Sequence, residues 1–493
     1  LTGLGIGAII GTGIFVLTGT AAANYAGPAV VISFIISGLA AAFAALSYSE
    51  LSSMIPVAGS AYTYTYATMG EFLAWTIGWD LILEYLVGAA TVSVGWSGYM
   101  VSFLETVSGT TFSKKLIQAP VRFDQATQAF EATGNYMNLP AIVIVLVVTV
   151  VLVFGIKASA RFNAAMVVVK LTVILLFIFA CCSKVNSDYY TPFVPERTDD
   201  GKYGGKGIFT ASTVVFFAYI GFDAVSTAAQ EAKNPQRDLP IGILTSLVVC
   251  TVLYIAVAAV LVGLLPYAEL GVAHPLTYAI EKALGWKWLV IIINIGAIAG
   301  LTSVMLILLM GQPRIFYAMA CDGLFPRFVA KVHPKFHTPY ITTIITGIVC
   351  AVAGGVLPID VLGEMTSIGT LFAFFLVNVG VIILRFTAKD TPRRFKVPGG
   401  PFLIPGIGAI LSVGLIATAT VPTIERLFIW MAIGFVIYFG YGYRHSYLNH
   451  PERRPADMIG RNSDPFAETS DDKPNEVTDM REMEIGSISS EKH

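Results

Sequence analysis

The sequence predicts an all-α polytopic membrane protein with about 12 transmembrane helices, ten of which form two inverted repeats of five helices. The first observation is composition: 55% of the 493 residues are hydrophobic, above the roughly 45–50% typical of soluble domains. The second is that apolar runs of about 20 residues, the length that a bilayer requires, recur along the chain. The third is that glycines interrupt the first and sixth runs, which are equivalent positions in an inverted repeat of five helices.

The apolar runs predict spans near residues 3–26, 28–51, 71–103, 139–156, 160–182, 207–230, 238–265, 288–320, 340–358, 361–385, 401–421 and 424–443. The ten-helix core would occupy residues 1–385, and residues 386–443 would add two helices. Residues 444–493 are acidic and poor in apolar side chains, so we expect a disordered tail. In the short loops, basic residues favour the side of the membrane on which both termini are predicted to lie. Because that side is normally the cytosol, both termini are predicted to be cytosolic.

The first span contains Gly5, Gly7, Gly11 and Gly13. Each glycine destabilises a helix interior by roughly 1 kcal/mol relative to alanine, so this helix is predicted to be interrupted. Non-helical backbone persists at membrane depth only where it is buried in protein or faces a cavity, so residues from Ile10 to Gly13 are predicted to form half of a binding site. The alternative is close helix packing at small residues. No strand precedes the glycines, which argues against a dinucleotide-binding loop.

The sixth span carries the aromatic run Val215-Phe-Phe-Ala-Tyr-Ile-Gly-Phe-Asp223, which ends at Gly221. We expect a second helix break there. Two broken helices that face each other make a binding site near the bilayer midplane.

Ionisable residues inside spans are candidate functional groups because their burial in a bilayer is unfavourable. Lys170 in the fifth span is predicted to exchange a proton; the alternative is a structural lysine bonded to carbonyls of a broken helix, or one that snorkels to the surface. Glu84 and Asp223 are predicted to balance Lys170 or to receive its proton, the alternative being an ion pair that braces the bundle. Asp80 lies four residues before Glu84 and is expected to cap the helix near the cytosolic interface.

Other features of the sequence argue against a metal or cofactor, a nucleic-acid partner and an enzyme. The histidines do not cluster and the cysteines show no paired spacing, so we expect neither a metal nor another cofactor. A net charge of −1 argues against a nucleic-acid partner. The spans contain no nucleophile–base arrangement, so an enzyme is not expected. Met305 in the eighth span is either core packing or a residue that narrows a pocket.

Several motifs together resemble the cationic amino acid transporter branch of the amino acid-polyamine-organocation superfamily, over residues 1–445. They are Gly7-Ala-Ile-Ile-Gly-Thr-Gly-Ile-Phe15, Ala26-Gly-Pro28, Tyr48-Ser-Glu-Leu51, Pro56-Val-Ala-Gly-Ser-Ala-Tyr62, Gly78-Trp-Asp-Leu-Ile-Leu-Glu-Tyr85, Gly221-Phe-Asp223 and Lys233-Asn-Pro-Gln236. The resemblance implies a LeuT-like fold and amino acid transport by alternating access. It also implies which groups bind the substrate. Amides of Gly11, Thr12 and Gly13 would meet the carboxylate, and carbonyls of Phe217, Ala218 and Ile220, with Ile9 or Ile10, would meet the ammonium group.

Two residues separate this chain from mammalian-type members of that branch. Lys170 stands where those members have asparagine, which favours proton-coupled relatives of bacterial type. Met305 leaves less room for a guanidinium group than serine or glycine would, which favours neutral substrates. We expect protonated Lys170 to donate hydrogen bonds to carbonyls near residues 10–12 and so to hold the site in shape for the substrate.

The expected function is therefore secondary active symport of L-amino acids with protons, the proton being the coupling ion. A facilitative carrier of arginine or lysine and a transporter-like amino acid sensor are the alternatives. The expected location is the plasma membrane, with an endomembrane or vacuole as the alternative. The sequence leaves open a small accessory membrane subunit or a partner of the tail.

Overall fold

The computed structural model describes residues 2–54, 60–124, 127, 129–155, 160–198, 202–222, 234–336, 338–387, 393 and 395–450. In this part of the chain, seven helices are long and apolar enough to cross a membrane, and three shorter apolar helices accompany them. With the interrupted first and sixth helices, these account for the predicted spans of a multi-pass membrane protein.

The α-helices are numbered here in chain order. They are α1 (Thr2–Ile9), α2 (Thr18–Ala21), α3 (Val30–Met54), α4 (Ser60–Met69), α5 (Glu71–Ser108), α6 (Leu139–Val153), α7 (Ala160–Cys181), α8 (Gly204–Val215), α9 (Pro235–Leu264), α10 (Pro275–Leu284), α11 (Lys287–Cys321), α12 (Tyr340–Val356), α13 (Ile359–Thr387), α14 (Leu403–Thr418), α15 (Val421–Ile437) and α16 (Tyr443–His445). Two π-helical segments, Gly13–Leu17 and Ala22–Ala26, flank α2, and a 3₁₀ turn, Phe216–Tyr219, follows α8.

Helix α5 lies at the centre of the bundle and is buried along most of its length. It packs against α4, α6, α11, α12, α13 and α15. Gly70 precedes it with φ 89°, and Gly109 ends it in the left-handed conformation that glycine adopts most readily. Because so many helices contact α5, its inward residues are the ones best placed to connect a central site to either end of the bundle.

A short β-hairpin adds to the helices in the segment between α5 and α6. Strands β1 (Val121–Asp124) and β2 (Ala129–Ala132) pair antiparallel. The ring of Phe123 packs edge-on against Phe130, and the Arg426 guanidinium lies 4.7 Å from the centre of the Phe123 ring. This cation–π contact ties the hairpin to α15. The hydropathy pattern of the spans carries no signal for such a short element.

Charged side chains pair at the end of the bundle where α3 and α13 both finish. The buried Glu50 accepts hydrogen bonds from Arg385 Nε at 2.7 Å and from the Val397 amide at 2.8 Å. Arg393 Nε lies 3.4 Å from Glu50 Oε1, the same carboxylate oxygen that accepts from Arg385 Nε. A buried carboxylate is tolerated only when it is paired in this way, so the cluster holds the segment around Val397 against α3.

At the opposite end of the bundle, His274 precedes α10 and is buried. Its ring packs edge-on against Tyr99 and Tyr278, and its Nδ1 has no hydrogen-bond partner among the residues described. Burial lowers the pKa of His274 to about 4, below its usual 6.5, because desolvation disfavours the charged imidazolium.

Acid should therefore destabilise the fold through His274. Between about pH 6.5 and 4 the unfolded state binds a proton that the folded state does not, so stability falls as the pH is lowered through this window, by up to about 3 kcal/mol. We expect His274→Gln to flatten the pH dependence of the thermal midpoint in detergent over that range. The exposed His445 supplies the control, His445→Gln, which should leave the wild-type slope. Equal slopes in all three proteins would contradict the assignment.

Candidate functional site

The two helix breaks contact each other near the middle of the bundle. In the first span α1 ends at Ile9, and helical structure resumes at Gly13. In the sixth span the 3₁₀ turn ends at Ile220, whose backbone is extended, and Gly221 follows with φ 107°. A methyl group at Gly13 would overlap the Cα and Cβ of Ala218. The absence of that side chain is what lets the two interrupted backbones approach.

Gly221 makes the reciprocal contact with the first span. A Cβ built there would lie 2.8 Å from the carbonyl oxygen of Ala8. The positive φ and this close approach both require glycine. The end of α1 is therefore packed directly against the break in the sixth span.

Side chains of neighbouring helices bind the carbonyls that the first break releases. Lys170 Nζ on α7 donates to the Gly7 carbonyl at 2.6 Å, and the Tyr254 hydroxyl on α9 donates to the Ile9 carbonyl at 2.9 Å. Carbonyl groups that have lost their helical partners need other donors inside a bilayer. These two contacts supply them and fix the last turn of α1.

The backbone amides on the other side of the break are available to donate hydrogen bonds to a ligand. Among the described residues, no backbone or side-chain acceptor takes a hydrogen bond from the amides of Gly11 or Thr12. The Thr12 hydroxyl is also fully buried and without a partner there. Three unused donors thus lie together at one point of the break, which is an arrangement suited to an anionic group such as a carboxylate.

A cavity lies beside these donors. Its volume is about 20 Å³, somewhat more than the roughly 10–15 Å³ that a water molecule needs. Its wall is apolar except at Thr12, Glu84 and the ring hydroxyl of Tyr85. The lining residues are Ala8, Ile9, Gly11, Thr12, Glu84, Tyr85, Gly88, Phe217, Ile220, Gly221, Val304, Ile307 and Leu308.

Lys170 lies behind the break and does not line the cavity. Its side chain is fully buried and runs along Gly300 of α11, where a Cβ would lie 3.1 Å from Lys170 Cγ. The contact at Gly7 is about one turn earlier than the carbonyls near residues 10–12 that we expected. The reason is that α1 ends at Ile9, so the Gly7 carbonyl has already lost its helical partner, the Gly11 amide.

The structure brings most of the predicted substrate-binding residues to the cavity. Ile9, Gly11, Thr12, Phe217 and Ile220 line it, and so does Glu84. The other predicted residues, Ile10, Gly13, Ala218 and Met305, do not line it. Asp223 lies outside the described residues.

Met305, which the sequence left as either core packing or a residue that narrows a pocket, is fully buried and does not line the cavity, and the α11 wall consists of Val304, Ile307 and Leu308. These three recur at the spacing of one helix face, a signal that the sequence contains. Which face of α11 turns toward the break is decided by packing, because Leu308 contacts Gly88 of α5.

A polytopic helical bundle in which two interrupted helices meet at a buried cavity, with free backbone donors on one side, is the architecture of a secondary transporter. Residues 1–439 match the family model described as amino acid permease. The chain belongs to this family, which lies within the amino acid-polyamine-organocation superfamily.

Curated relatives agree with this membership. The chain is 49% identical to the branched-chain amino acid permease BcaP of Bacillus subtilis, over 91% of this chain and 93% of that protein. It is 45% identical to the methylthioribose transporter of the same organism, with the same coverage. It is 38% identical to the vacuolar cationic amino acid transporter 4 of Arabidopsis thaliana, over 79% of this chain and 63% of that protein. The superfamily prediction is confirmed, and the placement in the cationic branch stays a prediction.

The contact between the two breaks can be tested with an added methyl group. Gly13→Ala should reduce amino acid uptake by proteoliposomes about tenfold or more, equivalent to at least roughly 1.4 kcal/mol, because it forces the first break away from Ala218. Gly414→Ala is the matched control, since no atom lies within 4 Å of the added methyl group in α14. Equal uptake by both variants would show that the breaks do not need this contact.

Proposed function

We propose that the chain carries neutral amino acids with branched apolar side chains across the membrane, coupled to protons, by alternating access. In this proposal residues 1–385 form the transport core, residues 386–443 add two helices, and the tail lies in the cytosol together with the N-terminus. The plasma membrane is the proposed location.

The observation that carries the proposal is the composition of the cavity wall. The unpaired amides of Gly11 and Thr12 suit the substrate carboxylate, whereas Val304, Ile307 and Leu308 offer a branched apolar side chain only apolar contacts. Burial of such a side chain contributes about 1.5–3 kcal/mol. The name of the Bacillus subtilis branched-chain permease is consistent with this substrate class.

Lys170 supplies the proposed coupling. When protonated it donates to the Gly7 carbonyl and keeps the last turn of α1 in the geometry that exposes the Gly11 and Thr12 amides. Loss of the proton weakens that bond, so the binding-competent conformation becomes less populated and the substrate is released. The cavity of about 20 Å³ is too small for an amino acid, so binding also requires the walls to separate.

A second candidate function is facilitative transport of arginine or lysine. Glu84 lines the cavity, and a carboxylate there would suit a cationic side chain. The Arabidopsis thaliana relative is named a cationic amino acid transporter, which is consistent with a cationic substrate.

Uptake of labelled leucine and labelled arginine into proteoliposomes, with and without an inward proton gradient, separates these functions. We expect the gradient to drive leucine accumulation, and excess valine or isoleucine to compete. Excess arginine and methylthioribose should compete weakly. Arginine uptake that ignores the gradient would instead support the facilitative carrier, and strong competition by methylthioribose would place the substrate outside the amino acids.

Lys170→Gln tests the coupling separately. The amide can still donate to the Gly7 carbonyl but cannot exchange a proton, so leucine uptake should lose its dependence on pH while leucine binding persists. Lys184→Gln, at an exposed position after α7, is the control and should retain the wild-type pH profile. An unchanged pH profile in Lys170→Gln would leave Lys170 a structural role only.

A further inference from the structure

Asp80 on α5 is a buried carboxyl group that neither the cavity wall nor the Lys170 contact uses. It has no exposed surface, and neither carboxyl oxygen has a hydrogen-bond partner among the described residues. It was expected to cap a helix near the interface, but it lies inside the bundle against Gly369 of α13, where a Cβ would be 3.2 Å from Asp80 Oδ1 and 3.2 Å from Leu83 Cδ2. An ionised carboxylate that is fully buried without hydrogen-bond partners is strongly unfavourable.

Asp80 lies next to the cavity along α5. It stands one helical turn from Glu84, on the same helix face, and Glu84 lines the cavity. On α11, Gln312 stands one turn beyond Leu308, another lining residue. Gln312 is also fully buried, and both of its amide atoms lack partners in the described part of the chain.

The two helices bring these residues to the same side of the cavity. Helices α5 and α11 run antiparallel, since Gly88 contacts Leu308 whereas Gly78 contacts Met319. Asp80 and Gln312 are therefore both displaced from the cavity toward the end of the bundle where α5 begins. In the orientation proposed above, that end is cytosolic. Buried polar groups normally have partners, so two such groups without them indicate a region that is hydrated in another conformation.

Charged and titratable groups of the helices packed against α5 are engaged elsewhere. Tyr62 on α4 donates to Asp322 at the end of α11, and Arg385 and Glu364 lie at opposite ends of α13, paired with Glu50 and with Tyr25. Glu84 is the acidic neighbour on Asp80's own helix, and Tyr317 is a further titratable group on α11. Between Trp430 and Gly434, where α15 contacts α5, no residue is titratable. The group of α13 that acts on Asp80 is the backbone amide of Ala373, which lies outside good hydrogen-bond geometry in this conformation.

We propose that Asp80 is a proton-binding site on the cytosolic route out of the cavity. It holds a proton in this closed conformation, as a neutral carboxyl group, and transfers that proton to water when α5 and α13 separate, leaving the carboxylate. A metal cation is not the proposed ligand, because hard cations take about six oxygen ligands and no group of three or more His, Cys, Asp or Glu side chains in the described part of the chain could hold one. The proposal rests on proton-coupled transport as the function.

Infrared spectroscopy tests the bound proton directly. The carbonyl band of protonated carboxyl groups in the purified protein should lose one component in Asp80→Asn. Glu71→Gln is the matched control, because Glu71 is also a buried carboxyl on α5 but accepts hydrogen bonds from Tyr438, Ser446 and Asn449. The component assigned to Asp80 should persist in that control. A band that is unchanged in Asp80→Asn overturns the proposal.

Transport measurements test whether the proton bound by Asp80 takes part in coupled transport. Asp80→Asn cannot release a proton, so gradient-driven leucine accumulation should fall about tenfold or more, whereas leucine–leucine exchange, which moves no net proton, should persist. Accumulation equal to that of wild type overturns the proposal and leaves proton-coupled transport intact. If wild type itself shows no gradient-driven accumulation, the proposed function fails, and the infrared band alone decides whether Asp80 binds a proton.

Discussion

The structure depends on one constraint: backbone polar groups that leave a helix inside a bilayer must find other partners. The first span satisfies this constraint for carbonyl groups but leaves two amide groups without partners in the described part of the chain. The carbonyls of Gly7 and Ile9 are taken by Lys170 and Tyr254, whereas the amides of Gly11 and Thr12 remain unused in the described part of the chain. The break therefore presents unused donors at the cavity. A site for an anionic group follows from the way the carbonyls are satisfied, and it requires no positively charged side chain in the cavity wall.

The surrounding helices have two structural roles: some support the break, and others line the cavity. Helices α7 and α9 brace the break from behind, through buried side chains that do not reach the cavity. Helices α5 and α11 form another wall, where Gly88 and Leu308 lie in contact and both line the cavity. In the proposed coupling, a protonation event at Lys170 would change the shape of the cavity through α1, because Lys170 bonds to Gly7 and does not itself line the cavity.

The spans and both breaks were predictable because bilayer thickness and glycine act on the chain locally. The details of the site depend on packing between distant segments, and these could not be read from the sequence. Lys170 was expected at residues 10–12, but its partner is Gly7, because the exact end of α1 decides which carbonyl is free. Whether Met305 packs in the core or narrows the pocket could not be decided, since nothing in an apolar run shows which face a helix turns inward. Asp80 looked like an interfacial cap until its position against Gly369 was known.

The clash that a Cβ at position 13 would make with Ala218 limits which residues these two positions accept. The two positions occupy one shared volume although about 200 residues separate them in the chain, which a direct contact between distant segments permits. The clash of an added Cβ at position 13 is with the Cα and the amide nitrogen of Ala218 as well as with its Cβ, so removing the side chain at position 218 would not make room for it. Position 13 is therefore held to glycine for as long as the backbones of the two breaks keep this distance.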